Sequence, residues 1–255
     1  MKMLAHLFNQ DAKAYHEARP SYPDEVIEWV VTVTEVKNED TIIEVGAGTG
    51  KATKKFLERG LKIHAIEPGS EMAKHLLLFC KGNISVDVTT FEDWSSDDLF
   101  QSAMVLSATA FHWVDPAIRY KKAHLCLKGD GHLVLLWNMA LPTSIKEEKE
   151  AFEYLFSFHN KKSNGEYSVE EVFLDRYNEI LASNLFEIVD TIQYEWSVKN
   201  TQESLIKGFL SQSSYLSLSK TDQLNVKNKI TSLYHQIEEP ILTPFLTMGF
   251  IAKKK

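Results

Sequence analysis

Apolar and polar positions along the chain change their period in a regular order. From Thr41 to Gly46 a β-branched run reads as a strand, and Lys51 to Arg59 follows with helical spacing, closed by Gly60. The same cycle returns with a strand from Lys62 to Glu67 and a helix from Ser70, a suitable N-cap, to Cys80. Ile84 to Thr89 supplies a third strand. Ala103 to Ser107 is a short apolar run of the kind buried on both faces of a sheet. A helix from Pro116 to Leu127, with Pro116 fitted to a first turn, leads through Lys128-Gly-Asp-Gly131 into a fifth strand, His132 to Trp137. Strands alternating with short helices predict a parallel sheet with helices on both faces.

After Pro142 the rhythm changes. Residues 144–162 and 169–183 read as helices, 186–198 as a strand, 201–211 and 221–238 as helices, and 242–252 as a last strand. There is no internal repeat and no low-complexity linker. The expected architecture is α/β and Rossmann-like: a mostly parallel seven-stranded sheet with helices on both faces, plus a C-terminal helical lid in the same domain. It divides into an N-terminal segment (1–36), a core (37–140) and a helical cap with the last two sheet strands (141–255).

Composition narrows the partners. A net charge of -7, from 35 acidic against 28 basic residues, gives no field with which to hold a phosphate backbone, so nucleic acid is not an expected partner. The cysteines, Cys80 and Cys126, have neither CxxC nor zinc-type spacing, so no disulfide framework and no metal are expected. The first residues lack an apolar stretch, and no run approaches the ~20 apolar residues of a membrane helix. The expectation is a cytoplasmic protein without a membrane partner, a monomer or a homodimer.

Candidate chemistry is sharpest at Glu44-Val-Gly46-Ala47-Gly48-Thr-Gly50, at the end of the first strand. Alternating glycines there let a small ligand lie against the backbone at the carboxyl ends of a parallel sheet. The dinucleotide pattern G-x-G-x-x-G fails, because Lys51 stands where it needs glycine. The phosphate-loop pattern fails as well, because Ala52 follows Gly50-Lys51. Glu67 ends the second strand, about 20 residues past the loop, where an acid can accept hydrogen bonds from both ribose hydroxyls. A nucleoside-containing ligand is the expectation.

These residues amount to a resemblance. Ile42 to Gly50, Glu67, Phe91-Glu-Asp-Trp94, Ser107-Ala-Thr-Ala-Phe-His-Trp-Val114 and Leu127 to Asn138 resemble the ordered motifs of class I S-adenosylmethionine-dependent methyltransferases. They are similar in particular to the methyltransferase type 11 group that includes trans-aconitate methyltransferase-like enzymes. The segment Phe8-Asn-Gln-Asp…Tyr15…Arg19-Pro-Ser-Tyr-Pro23 resembles that group's opening. The resemblance implies S-adenosyl-L-methionine as cofactor, with Gly46, Gly48 and Gly50 along its methionyl part, Glu67 on the ribose, and Phe91 with Glu92 flanking the adenine. Tyr15, Arg19, Glu44, Ala47, Pro68, Met72, Ser107 and Ala108 complete the expected cofactor site. Two positions depart from the family pattern. Ala103 precedes Met104-Val105 where the family usually has Asp, and Gly129-Asp130-Gly131 replaces a Pro-Gly-Gly turn.

Methyl transfer is a direct displacement, so the protein must mainly align a nucleophile, exclude water and sometimes remove a proton. After the fourth strand stands Ser107-Ala-Thr-Ala110, not the Asn-Pro-Pro-Tyr tetrad of amide and base-amine methylases, and no carboxylate set for magnesium is present there. A small-molecule acceptor is implied, with a carboxylate or hydroxyl oxygen as the candidate nucleophile. His112 is the candidate base, having an ordinary pKa near working pH, with hydrogen bonding to the cofactor as its alternative. Trp113 and Trp137 are candidate pocket walls, and Arg119 and Arg176 candidate anchors for an acidic substrate. The competing expectation is a non-catalytic cofactor-binding or partner-regulating protein on the same fold.

Overall fold

The computed structural model describes residues 12–95, 101–159 and 168–255. Its strands are β1 (Thr41–Val45), β2 (Lys62–Ile66), β3 (Ile84–Asp87), β4 (Ser102–Ala108), β5 (Leu127–Ala140), β6 (Phe186–Asn200) and β7 (Ile241–Lys254). They form one sheet in the order β3-β2-β1-β4-β5-β7-β6. The first five run parallel, while β7 lies antiparallel between β5 and β6. The expected Rossmann-like sheet is therefore present, with the two late strands at its edge. The chain lays β2 and β3 on one side of β1, then crosses to begin β4 on the other. That reversal opens a crevice beyond the carboxyl ends of β1 and β4.

The helices are α1 (Ala12–Ala18), α2 (Asp24–Thr34), α3 (Lys51–Leu57), α4 (Ser70–Phe79), α5 (Arg119–Cys126), α6 (Lys146–Phe156), α7 (Val169–Ala182), α8 (Gln202–Leu210), α9 (Ser213–Leu216) and α10 (Lys220–Tyr234). Successive side chains of a strand point to opposite faces, so each central strand feeds two cores. Ile42, Met104 and Val134 pack with Val26, Ile27 and Phe56, while Ile43, Val105 and Leu135 pack with Phe91, Tyr120 and Phe186. A third core lies outside the sheet, where Leu155, Phe209, Tyr215, Ile230 and Tyr234 join α6, α8, α9 and α10.

Three expectations change. Ser70 is the first helical residue, with Gly69 before it. Pro116 lies in a turn ahead of α5, because the Asp115 carbonyl accepts from the N–H groups of Ile118 and Arg119, and its carboxylate from that of Ala117. The helix over 169–182 does not join the lid. Its Ile180 is fully buried against the sheet, and Phe173 packs on Phe250 with ring centroids 4.9 Å apart. The opening residues through Asp11, and residues 160–162 of the expected first cap helix, lie outside the described residues.

Candidate functional site

The β1 strand ends in a loop whose glycines serve different ends. A Cβ on Gly46 would stand 2.4 Å from that of Ala110, and one on Gly50 2.5 Å from Cys80 Sγ. Both positions are crowded by protein. Gly48, with φ of +59°, has only Met72 Cε within reach, at 3.8 Å, and faces a cavity of about 920 Å3. That volume lies near the top of the ~300–1,000 Å3 typical of small-molecule sites, leaving room for two ligands.

The cavity opens beyond the carboxyl ends of β1, β2 and β4, and the cap helices roof it. Of the residues expected around a cofactor, Glu44, Gly46, Ala47, Gly48, Glu67, Pro68 and Met72 line its sheet side. Phe91, Glu92 and Ala108 border it farther along, and Tyr15 and Arg19 enter from the N-terminal segment. Two stand outside the lining. Gly50 precedes α3, and Ser107 is fully buried with its hydroxyl donating to the Val45 carbonyl at 2.8 Å.

Glu67 is the polar centre. One carboxylate oxygen accepts from the Gly48 N–H and the other from the Gly69 N–H, both at 2.8 Å. A carboxylate has about four acceptor positions, so each oxygen keeps a lone pair for a ligand hydroxyl. Burial raises the Glu67 pKa, opposed by those two N–H groups. Glu44, nearly inaccessible to solvent, takes a 2.6 Å hydrogen bond from the Thr53 hydroxyl, and burial pushes its pKa up to about 8. It is mostly protonated at neutral pH.

The helix α1 bridges loop and cap. His16 Nδ1 and the Thr49 hydroxyl lie 2.9 Å apart, while Lys207 of α8 donates to Glu17 at 3.1 Å. This holds the Arg19 guanidinium 5.3 Å from the Tyr15 ring, with Nη2 donating to the Ser211 carbonyl at 3.4 Å. Arg19 Nε is buried and without a hydrogen-bond partner among the described residues. Nearby, Tyr22 and Thr109 join hydroxyls at 2.7 Å.

His112 and Trp113 border the cavity; Trp137, Arg119 and Arg176 do not. Trp137 instead stands behind His112, its indole N–H donating to Nδ1 at 3.3 Å. Arg176 stacks over Trp137 at 5.4 Å, and both Arg176 and Arg119 pair with Glu179 on α7. Burial first, then the charges of Arg176 and Arg119, lower the His112 pKa to about 4. Because indole only donates, the neutral ring accepts at Nδ1 and carries its hydrogen on Nε2.

Residues 43–135, which run from β1 into β5 and contain the loop, Glu67 and His112, match the methyltransferase domain family. Over those residues the chain is similar to a methyltransferase domain. An uncharacterized methyltransferase of Mycobacterium tuberculosis is 37% identical over 131 residues, covering 51% of each chain. Another, from Schizosaccharomyces pombe, is 31% identical over 143 residues, covering 54% of each. The chain thus spans about half the length of the curated relatives it matches. A proposed type II methyltransferase of Anaeromyxobacter dehalogenans shares the fold, with a TM-score of 0.60 at 14% identity over 93% of this chain and 97% of that one. So does a phosphoethanolamine N-methyltransferase of Haemonchus contortus, solved with phosphomonomethylethanolamine and S-adenosylhomocysteine. Its TM-score is 0.54 at 14% identity, over 96% of this chain and 57% of that one.

The matched residues supply only part of the cavity. Tyr22, Asn138, Glu148, Phe152, Phe209 and Tyr234 also line it, from outside the matched residues. Sequence reading missed them all. One signal was available: Glu148 falls on the apolar stripe of α6 with Ala151 and Leu155, three and seven positions on, where a solvated acid has no reason to stand.

Proposed function

We propose that the chain is an S-adenosylmethionine-dependent methyltransferase acting on a small-molecule acceptor. The observation that carries this reading is Glu67, whose carboxylate is anchored to the glycine loop by one oxygen while both oxygens keep a free lone pair beside Gly48. The residues fit the cofactor. Glu67 would hold the ribose hydroxyls, Gly48 leaves the space beside them open, and the unsatisfied Arg19 Nε suits the methionyl carboxylate. Phe91 and Glu92 would border the adenine. When bound, the cofactor supplies an electrophilic methyl group on a sulfonium. The chain's own task is to seat the acceptor, keep water out under the cap and align the nucleophile. Glu67→Ala is expected to weaken S-adenosylhomocysteine binding by ~1.5–3 kcal/mol, read by calorimetry.

Between the two oxygen nucleophiles, the geometry favours a hydroxyl. Arg119 and Arg176 pair with Glu179 behind Trp137 and do not line the cavity, so they are not placed to anchor a substrate carboxylate. His112, with its hydrogen on Nε2, is suited to donating a hydrogen bond to acceptor or cofactor, in preference to the base role. Nitrogen-15 NMR is expected to find His112 neutral at pH 6 with its hydrogen on Nε2, and Trp137→Phe to restore a mixture of tautomers. A hydrogen on Nδ1, or titration near the ordinary value, would assign it to proton removal instead. Activity is tested with a labelled methyl donor and a panel of phenols, alcohols, amines and acids. Transfer to any of them supports an enzyme, and binding of the cofactor with no transfer across the panel would support a non-catalytic protein.

A further inference from the structure

The cavity wall carries charge of both signs, Glu17, Glu92 and Asp115 among its acids. Arg19 and Lys51 stand at the cofactor end, where Glu67 and the glycine loop also lie. At the cap end stands Glu148, only 4% exposed, on the first turn of α6. Its carboxylate accepts a hydrogen bond from the Thr143 hydroxyl, and Thr143 Oγ1 in turn accepts from the Ile145 N–H at 3.0 Å. The cap side of the cavity wall includes Phe152, Leu205, Phe209 and Tyr234, with Asn200, Ser204 and Gln212 also in the lining. Among the described residues no lysine, arginine or histidine pairs with it, although Lys229 pairs with Glu150 on the outer face of the same helix.

Burial without a counter-charge raises the Glu148 pKa, with only the Thr143 hydroxyl opposing. A carboxyl shut away from water costs several kcal/mol unless a donor or a cation meets it. A leucine or methionine at this place on the stripe of α6 would complete the third core at no such cost. The acid lines a cavity large enough for an acceptor beside a cofactor, so the counter-charge it lacks can come from a ligand.

We infer that the cap end of the cavity binds a protonated amine on the methyl acceptor, with Glu148 as its counter-ion and Thr143 holding the carboxylate in place. The acceptor is then an amine with an apolar body, which Phe152, Phe209 and Tyr234 enclose. Its reacting atom lies toward His112 and the cofactor, and its ammonium group points away from them. A substrate carboxylate at this end would meet Glu148 as a like charge. This inference rests on the methyltransferase reading and names the substrate class of the same site.

The test is calorimetry on the full chain saturated with S-adenosylhomocysteine, whose own binding heat is recorded first. Three probes share one ring: tyramine, 4-ethylphenol and 3-(4-hydroxyphenyl)propionate. Tyramine is expected to bind more tightly than 4-ethylphenol, and the propionate not at all. Glu148→Gln is expected to reduce tyramine affinity roughly thirtyfold or more, the loss typical of removing one partner of a buried charge pair, and to leave 4-ethylphenol unchanged. Equal binding of tyramine and the propionate, no heat with tyramine, or an unaltered preference for tyramine in Glu148→Gln would each overturn the inference. Failure of S-adenosylhomocysteine itself to bind is a separate result, which removes the cofactor reading and the inference together.

Discussion

Gly48→Val is expected to abolish measurable S-adenosylhomocysteine binding, a loss of about a hundredfold or more, or ~2.7 kcal/mol, while the protein still folds. The reason lies in what surrounds the position. A Cβ on Gly48 meets nothing nearer than Met72 Cε at 3.8 Å, so the added side chain grows into the cavity and not into the core. The φ of +59° adds backbone strain of about 1–2 kcal/mol for a side-chain-bearing residue, which lowers the melting temperature without unfolding the chain. Gly46→Ala provides the contrast. Its Cβ would overlap that of Ala110 at 2.4 Å, so the cost there falls on folding. Calorimetry and thermal melts on both variants separate the two. Full affinity in Gly48→Val would remove the loop from the ligand site.

The glycine loop and Glu67 were legible because the chemistry they serve is local: a strand end, a turn without side chains and an acid at the next strand end. The sheet was legible for a related reason, since alternating runs such as Thr41–Val45 and Lys51–Leu57 each announce one element. What could not be read was pairing between distant positions. Arg119 and Arg176 look free in the sequence, and only the packing of α7 on the sheet gives them Glu179. The same packing removes α7 from the lid. Trp137 and His112 are 25 positions apart, and only the hydrogen bond between them favours the proposed donor role over the base role that His112 suggests alone. Glu148 was hidden differently. It stands among other acids in Lys146–Phe156, and only its place on the apolar stripe distinguishes it from half-buried neighbours such as Glu147.

Glu44→Gln is expected to change how stability depends on pH. Burial holds the Glu44 pKa at about 8 in the folded chain, against 4.5 as its ordinary value. Between those values the folded state keeps a proton that the unfolded state releases, so stability falls as pH rises. At up to ~1.4 kcal/mol per pH unit, the total loss is on the order of 5 kcal/mol. Glutamine keeps an acceptor for the Thr53 hydroxyl and carries no charge, so the variant should escape that loss. Glu67 and Glu148 act in the same direction, while His16 and His112, lowered to about 4, act against folding as pH falls. The difference between wild type and Glu44→Gln cancels these shared contributions. Urea denaturation from pH 5 to pH 9 should show the variant gaining on wild type as pH rises. Parallel curves would mean that Glu44 ionises freely in the folded chain.

The central claim is that the cavity over Glu67 and Gly48 is a site for S-adenosylmethionine. Titration of S-adenosylhomocysteine into the wild-type chain tests it most directly. Saturable heat at one ligand per chain is expected, undiminished by nicotinamide dinucleotides, weakened in Glu67→Ala and absent in Gly48→Val. No heat at millimolar ligand, or displacement of the bound ligand by a nicotinamide dinucleotide, would contradict it.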